Sequence, residues 1–350
     1  MKYSNKLIII LSILFLISCE EPEIITPKQI KFGDINKDTI NKRESIIISG
    51  ENMGIKPIGM KILIDSTYVI SSDSILIWNN SKIEFIPPQI VGAHSFVVFT
   101  EKDTSSKYNY YLNSVREIGF ASVTATEFLM GSESGLDDEK PTHTVILNKE
   151  LLVSIYEINQ DIYEDVCDTN PATIKGGLLP VYNIDWIDAI NFCNKLSDLK
   201  GLNKCYDISN NIVKFDTTAN GYRLPTEAEW EYLCKAGTLG DFNVKDKNIN
   251  EIAWFNINSG YNLKEIGKLL PNDFGLYDMH GNVWEWCWDF YSANSYSNAT
   301  KYNPLGPANG QYRVLRGGSY LSGSNEIRSS SRTQPTDKKS QSGIRLVKNK

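Results

Sequence analysis

The chain has 350 residues, 41% of them hydrophobic and 22% charged, which is ordinary for a folded globular protein and long enough for two or three domains. The formal net charge of −6 gives no basic surface, so the composition excludes nucleic acid as an expected partner. There is no Cys-x-x-Cys pair, and the three histidines are far apart in sequence, so neither a zinc site nor a three-histidine iron centre is indicated.

The first nineteen residues have the pattern of an export signal. Lys2 and Lys6 flank the start of an apolar run, residues 7–17, which is too short to cross a bilayer core of ~30 Å as a helix. The run ends in Leu-Ile-Ser-Cys at positions 16–19, which resembles a bacterial lipobox. This resemblance implies a signal peptide over residues 1–18 and a lipid on Cys19 that attaches the protein to a membrane. The alternative is an ordinary signal peptide with an incidental cysteine.

A short acidic segment follows the cysteine. Glu20, Glu21, Pro22 and Glu23 cannot pack into a core, so residues 19–27 are expected to form a solvated tether. Acidic residues in this place resemble the surface-export signal of Bacteroidota-type lipoproteins. We therefore expect a cell-envelope, outer-membrane lipoprotein, either periplasmic or surface-exposed.

Residues 28–112 have the pattern of an all-β domain. Short β-branched and aromatic runs, separated by turn residues, occur at positions 45–49, 60–64, 83–86 and 95–99. Their spacing predicts a small sandwich. The order of the Gly-Glu-Asn-Met-Gly turn at 50–54, the Ile-Glu-Phe-Ile-Pro strand at 83–87 and Gly92 resembles an immunoglobulin-like IPT/TIG domain.

The remaining sequence predicts two well-defined helices among long loops. Asp185 precedes a run in which apolar residues recur at helical spacing, and Gly201 ends it. Thr226 and Glu229 have the spacing of a capping box, and Gly237 closes the second helix. Arg223, just before that helix, is expected to be a buried donor that ties loops together.

Four sequence blocks then follow in fixed order. They are FLMGS (128–132) with EKPTHTV (139–145); PV (180–181) with WIDA (186–189) and FC (192–193); GYRLPTEAEWEY (221–232); and NDFGLYDMHGNVWEWC (272–287) with RVLRGGSY (313–320) and GIR (343–345). Together they resemble the formylglycine-generating enzyme, or sulfatase-modifying factor, family over residues 117–350. The expected fold class is α+β: the sandwich, followed by a mixed, loop-rich domain related to C-type lectins.

The resemblance implies a calcium site in the fourth block. The matching stretch of the family binds calcium through the side chains at the positions of Asp278 and Glu285 and the backbone carbonyls at Gly281 and Val283. A hard cation with several oxygen ligands suits this loop. The alternative is that Glu285 bonds to backbone amides or to Arg316. A second family calcium site should lie between Ala253 and Asp273, where its ligands are not evident.

The resemblance also locates the family's oxidation site. Oxidising members have one cysteine at the position of Ser322 and a second about five residues later, and both bind copper(I). Here Ser322 is a poor ligand for this soft ion, and no cysteine follows Cys287, so copper is not expected. The family's oxygen pocket matches at Ser319 and Trp284, leaving the catalytic residues unassigned.

We therefore expect a non-oxidising lipoprotein that binds or scaffolds a protein or glycan ligand. The alternatives are an oxidase that converts a sulfatase cysteine to formylglycine and, on weaker grounds, a non-haem iron enzyme. Besides Cys19, the five remaining cysteines are an odd number, so at least one thiol is free or pairs with another chain; the sequence does not assign pairs among Cys167, Cys193, Cys205, Cys234 and Cys287.

Overall fold

The computed structural model describes residues 31–36, 39–40, 44–51, 61–65, 68–70, 74–79, 81–87, 92–99, 105, 107–112, 116–210, 212–243, 248–335 and 339–350. The predicted signal peptide, the lipidation site Cys19 and the tether at 19–27 lie outside these residues. Within the described part of the chain, no helix combines the length and apolar character needed to span a membrane.

The chain divides into two compact units, the second of which holds all residues from 109 onwards together with residues 38–44 and 88–94. The strands before residue 113 are β1 (Lys31–Ile35), β2 (Thr39–Ile40), β3 (Ile46–Glu51), β4 (Lys61–Ile64), β5 (Tyr68–Val69), β6 (Ile75–Trp78), β7 (Lys82–Phe85), β8 (Gly92–Phe99) and β9 (Tyr108–Leu112). In the first unit, one sheet has the order β1-β3-β7-β6, and β4 pairs antiparallel with both β5 and β8.

The core of the first unit contains residues of both groups of strands. Alternate residues of β3 and β7 are fully buried, as period-2 patterning requires of a half-covered sheet. Phe85 of β7 meets Phe96 of β8 edge to face, with ring centroids 5.2 Å apart. Strands therefore occur at all four predicted runs, while the IPT/TIG class of this unit stays a prediction.

The second unit is mixed, with many short strands and few helices. Its strands are β10 (Phe120–Met130), β11 (His143–Ser154), β12 (Tyr206–Ser209), β13 (Ile212–Phe215), β14 (Ala253–Trp254), β15 (His280–Gly281), β16 (Trp284–Phe290), β17 (Arg313–Arg316), β18 (Arg332–Thr333), β19 (Ser342–Gly343) and β20 (Val347–Asn349). Its α-helices are α1 (Gln160–Cys167), α2 (Trp186–Leu199), α3 (Glu227–Lys235) and α4 (Asn256–Ser259). Short 3-10 helices occur at Asp137–Glu139, Ile249–Glu251, Ser295–Asn298 and Lys339–Gln341.

Two sheets organise this unit. One has the order β10-β11-β20, and the other has the order β18-β17-β16-β19. Helix α3 packs between them, with Trp230 and Leu233 fully buried in a cluster that includes residues of β10, β11 and β17. The candidate sites lie in the segments that flank these strands, before and after β16 and after β17.

Both predicted helices are confirmed with their predicted starts. Asp185 caps α2 through a reciprocal bond with Asp188, and Thr226 and Glu229 form the predicted capping box of α3. Arg223 is fully buried and holds both Glu229 carboxylate oxygens, at 2.6 and 2.9 Å. Arg223 is therefore the buried donor that the sequence predicted, and its guanidinium holds the first turn of α3.

The C-terminal residues close the core. Val347 pairs with Val153 of β11, and its backbone also bonds in both directions with that of Arg223. Arg345 is fully buried and donates to the carbonyl oxygens of Ser154, Ile155 and Tyr277 at 2.7–3.1 Å. Segments from the beginning, middle and end of the domain are thus joined at one point.

Candidate functional site

The loop between β17 and β18 begins with two glycines in the left-handed region. Gly317 and Gly318 have φ values of 91° and 79°, which side chains rarely adopt. A Cβ on Gly318 would lie 2.4 Å from the Ile327 side chain, so the loop can fold back on itself only with glycine there. This turn directs the following serines into the domain.

Ser319 and Ser322 are both buried, and Ser322 is bonded within its own loop. The Ser322 hydroxyl accepts from the Ser319 backbone N–H at 3.1 Å, and the Ser319 hydroxyl donates to Gln341 Oε1 at 2.5 Å. The next residue, Ser342, pairs with Trp284 of β16. The structure therefore places Ser319 and Trp284 beside residues 341–342, with Ser322 bonded to Ser319.

The position five residues after Ser322 belongs to the hydrophobic core. Ile327 is fully buried and clusters with Ile252, Ala253 and Phe255. Its carbonyl oxygen lies 2.7 Å from Nδ1 of His280. Burial lowers the pKa of His280 to about 4, so the imidazole is neutral and serves packing.

No thiol faces this loop as a ready ligand in the described part of the chain. All five cysteines from 167 onwards are free of disulfides. Cys234, 3.7 Å from Nε2 of His280, is buried, and burial raises its pKa to about 12. Burial likewise raises the pKa of Cys287 well above its usual value. Neither side chain readily forms the thiolate that binds soft metals.

A group of buried carboxyl groups lies at the predicted calcium stretch. Asp278 accepts from the Gly267 backbone N–H through Oδ2 at 2.7 Å, while its Oδ1 is buried without a hydrogen-bond partner in the described structure. Burial raises the pKa of Asp278 to about 6. Burying an unpaired carboxylate oxygen raises the free energy of the folded state, so a cation or a proton beside this atom would be stabilising.

Glu157 is a further acid at this place that the sequence reading missed. It is fully buried and accepts from the Asn282 side chain at 2.6 Å and from the Val283 backbone N–H at 3.1 Å. Burial, together with the charges of Asp278 and Glu285, raises its pKa well above the usual value. It lies 125 residues from its partner Asn282, so no local pattern could have indicated it.

Glu285 is satisfied by side chains. Arg345 donates to both of its oxygens at 2.9 and 3.0 Å, and Trp230 Nε1 donates to Oε2 at 2.6 Å. The alternative partner Arg316 instead bonds Glu231 and the Ser331 carbonyl. Gly281 has φ of 87°, and its N–H donates to the Gly317 carbonyl at 2.7 Å.

The comparisons with known proteins identify the domain that carries these sites. The sulfatase-modifying factor enzyme 1-like domain (FGE-sulfatase) family matches residues 113–350. The chain belongs to this family. It is similar to the Chaperone protein LppX of Paenibacillus barcinonensis, with 31% identity over 237 residues that cover 57% of this chain and 81% of that protein.

The chain is also similar to a formylglycine-generating enzyme. The chain is 43% identical to the Formylglycine-generating enzyme of Streptomyces coelicolor over 115 residues, which are 29% of this chain and 37% of the enzyme. It therefore spans little more than a third of that enzyme's length. Among solved structures, Treponema denticola variable protein 1 matches with a TM-score of 0.61 and 29% identity, covering 74% of this chain and 99% of that chain.

In the FGE-sulfatase domain of this chain, the residues at the family's copper-ligand positions do not suit copper(I). The two thiolate positions hold a hydroxyl satisfied by its own loop and an isoleucine packed in the core. The residues fit calcium in part: the unpartnered Asp278 oxygen suits a hard cation, whereas both Glu285 oxygens are already occupied. Among the described residues, no three His, Cys, Asp or Glu side chains are grouped to hold a metal, so backbone carbonyls would have to complete the site.

Proposed function

We propose that this protein is a cell-envelope lipoprotein whose FGE-sulfatase domain binds or scaffolds a partner without oxidising it. The lipid on Cys19 would hold it at the outer membrane, on the periplasmic or the external side. The tether and the IPT/TIG-like unit would act as spacers. The ligand would be a protein or a glycan.

One observation carries the non-oxidising part of this proposal. Copper(I) requires soft ligands, and the family's pair of cysteines is replaced by Ser322 and Ile327. Ser322 is held by the Ser319 backbone N–H at 3.1 Å, and Ile327 packs against Ile252 and Phe255. Both positions thus have a structural role here. The relative in Paenibacillus, which bears the name of a chaperone, agrees with a role other than oxidation.

Calcium would be a structural ion in this proposal. Asp278 and Glu157 are two buried acids near a single guanidinium, that of Arg345. A divalent cation beside Asp278 Oδ1 would offset the cost of their burial. Carbonyl oxygens of Gly281 and Val283 are the predicted further ligands.

A peptide oxidation assay tests the proposal. Residues 19–350 with Cys19→Ser are incubated with copper(I), oxygen and a peptide carrying Cys-x-Pro-x-Arg, and formylglycine is sought by mass spectrometry. We expect no conversion above a metal-free control. Ser322→Cys/Ile327→Cys serves as the matched variant and should gain copper(I) binding in a competition titration. Conversion by the unsubstituted domain would refute the non-oxidising function.

The anchor needs a separate test. Cells expressing the full chain are fed an alkyne-bearing fatty acid, and the protein is examined for label and for fractionation with membranes. We expect label on the wild-type chain and none on Cys19→Ala. Labelling of the alanine variant, or an unlabelled soluble wild-type protein, would rule out the lipoprotein.

A further inference from the structure

A cavity lies away from the loop between β17 and β18, residues 317–331, which we call the serine loop, and away from the buried acids at Asp278. Its volume is about 240 Å³, and it is bounded by the first turn of α3, the end of β16 and residues 294–307. Its apolar walls are formed by Met130, Ala228, Pro304 and Pro307. Ser319, Ser322 and Asp278 are not among its walls.

The Glu227 carboxyl group in the cavity wall already has partners for both of its oxygens. Arg332 holds both oxygens of Glu227, with Nε–Oε1 at 2.6 Å and Nη2–Oε2 at 2.7 Å. The Tyr296 hydroxyl donates to the same carboxylate at 3.2 Å. A charged ligand would therefore enter without a free countercharge, so the cavity favours an uncharged one.

Asp289 supplies a neutral polar group in the wall. Only 3% of its surface is exposed, and its Oδ2 accepts from the Glu227 backbone N–H at 2.7 Å. Burial and the neighbouring Glu227 charge raise its pKa to about 8. At neutral pH the group is therefore mainly a carboxylic acid, which can donate as well as accept a hydrogen bond.

His143 supplies a ring nitrogen for hydrogen bonding. Its Nδ1 lies 3.1 Å from the Pro141 carbonyl oxygen, which can only accept, so Nδ1 is the donor of this bond. The other ring nitrogen, Nε2, is buried without a hydrogen-bond partner in the described structure, so it is available to a ligand. The His143 ring contacts the Tyr296 ring at 4.8 Å, which presents an aromatic wall beside Nε2.

The mouth of the cavity adds groups that both donate and accept. Asn294, Asn298 and Thr300 are exposed and line the opening. These features together match a ring that has apolar C–H faces and hydroxyls at its edge. The aromatic and proline faces of the cavity suit the C–H faces, and its uncharged polar groups suit the hydroxyls. The volume lies below the ~300 Å³ at which drug-sized sites begin, so it suits one ring rather than several.

We infer that this cavity binds one uncharged sugar unit, with the hydroxyls meeting Asp289 and His143 and the ring face on Tyr296 and the prolines. The inference rests on the proposed binding function and gives it a ligand class and a place. Its failure can be told apart from that of the proposed function, because the oxidation assay does not involve sugar.

The test is ligand-observed NMR on residues 19–350 with Cys19→Ser. The probes are the methyl glycosides of glucose, galactose, mannose and N-acetylglucosamine, with methyl glucuronide as the charged counterpart. We expect saturation transfer to at least one neutral glycoside, with a dissociation constant of about 10 mM or tighter. The glucuronide should bind at least ~10-fold more weakly. Silence of all four neutral probes would overturn the inference.

Two matched tryptophan substitutions locate the binding. Asn298→Trp blocks the cavity mouth at an exposed position, and it should weaken binding at least ~10-fold with an unchanged melting temperature. Asn325→Trp, equally exposed but on the serine loop, should leave binding unchanged. Loss of binding in Asn325→Trp alone would place the sugar on the serine loop and refute the cavity. Formylglycine formation together with cavity binding would overturn only the proposed function.

Discussion

Replacement of Arg345 by methionine should be among the most damaging single changes in this domain. The guanidinium is fully buried and donates to both Glu285 oxygens and to three backbone carbonyl oxygens. Methionine has a similar length but no donors. The change leaves Glu285 with the Trp230 indole as its donor in the described structure, and it removes one donor from each of the three carbonyl groups, of which that of Ile155 keeps the Tyr277 N–H at 3.0 Å.

Breaking a buried ion pair by removing one partner costs about 3–5 kcal/mol. We expect Arg345→Met to lower the free energy of unfolding by about 4 kcal/mol. For a domain of this size, each kcal/mol lowers the melting temperature by ~2–4 °C, which gives a fall of about 8–16 °C. Six of the seven tryptophans lie between residues 186 and 288, so denaturant unfolding followed by tryptophan fluorescence reports on this domain.

Lys350→Met is the control. Lys350 also pairs with an acid, Glu150, at 3.4 Å, but about half of each side chain is exposed. Such pairs contribute ~0–1 kcal/mol. The double variant Arg345→Met/Glu285→Gln should lose less stability than the two single variants lose in total, because it also removes the unpaired charge of Glu285. A loss below about 1 kcal/mol in Arg345→Met, or strict additivity in the double variant, would refute the reasoning.

Three further predictions concern the backbone, the pH and the ion. Gly281→Ala should lower the free energy of unfolding, measured by chemical denaturation, by about 3 kcal/mol or more, because the new Cβ would lie 1.9 Å from the Trp254 carbonyl oxygen. Gly237→Ala is the control: Gly237 has a similar φ of 86° but open space around it, so the loss should be only about 1 kcal/mol. For Asp289, the folded-state pKa of about 8 exceeds the ordinary 3.8, so its contribution to stability is present below pH ~4 and is lost as the pH rises through about 8; melting curves of Asp289→Asn should therefore decline less than wild type between pH 6 and 9. Calcium at a hundredfold excess over its dissociation constant should stabilise the wild type by ~2.7 kcal/mol and a chelator should reverse this, whereas Asp278→Asn should respond to neither.

Local patterns predicted the parts of the domain that local physics determines. Helices α2 and α3 start where the caps at Asp185 and Thr226 place them, because a cap and its helix lie within one turn of chain. The burial of Arg223 as a donor was predicted from its residue type, but its partner Glu229, six residues away, was not. The replacement of the copper cysteines was visible because it depends on residue type alone.

Long-range partners were not foreseeable. Glu157 meets Val283 across 126 residues, and Glu285 meets Arg345 across 60, so neither periodicity nor a cap signals them. The sequence offered backbone amides or Arg316 as alternative partners of Glu285, whereas the Arg316 side chain bonds Glu231, 85 residues away. The cavity beside His143 and Asp289 arises where loops from separate blocks meet, and a sequence read in order cannot show it.

The closure of the core by residues 345–349 constrains when this domain can form during synthesis. Arg345 bonds the Ser154 carbonyl across 191 residues, and Val347 joins β11 to the start of α3. When the ribosome has synthesised β11 and α3, it has therefore not yet synthesised residues 345–349, which connect them. Until residue 349 emerges, the domain lacks one strand of a sheet and the counter-ion of Glu285. The domain should consequently become compact only after residues 345–349 have left the ribosome.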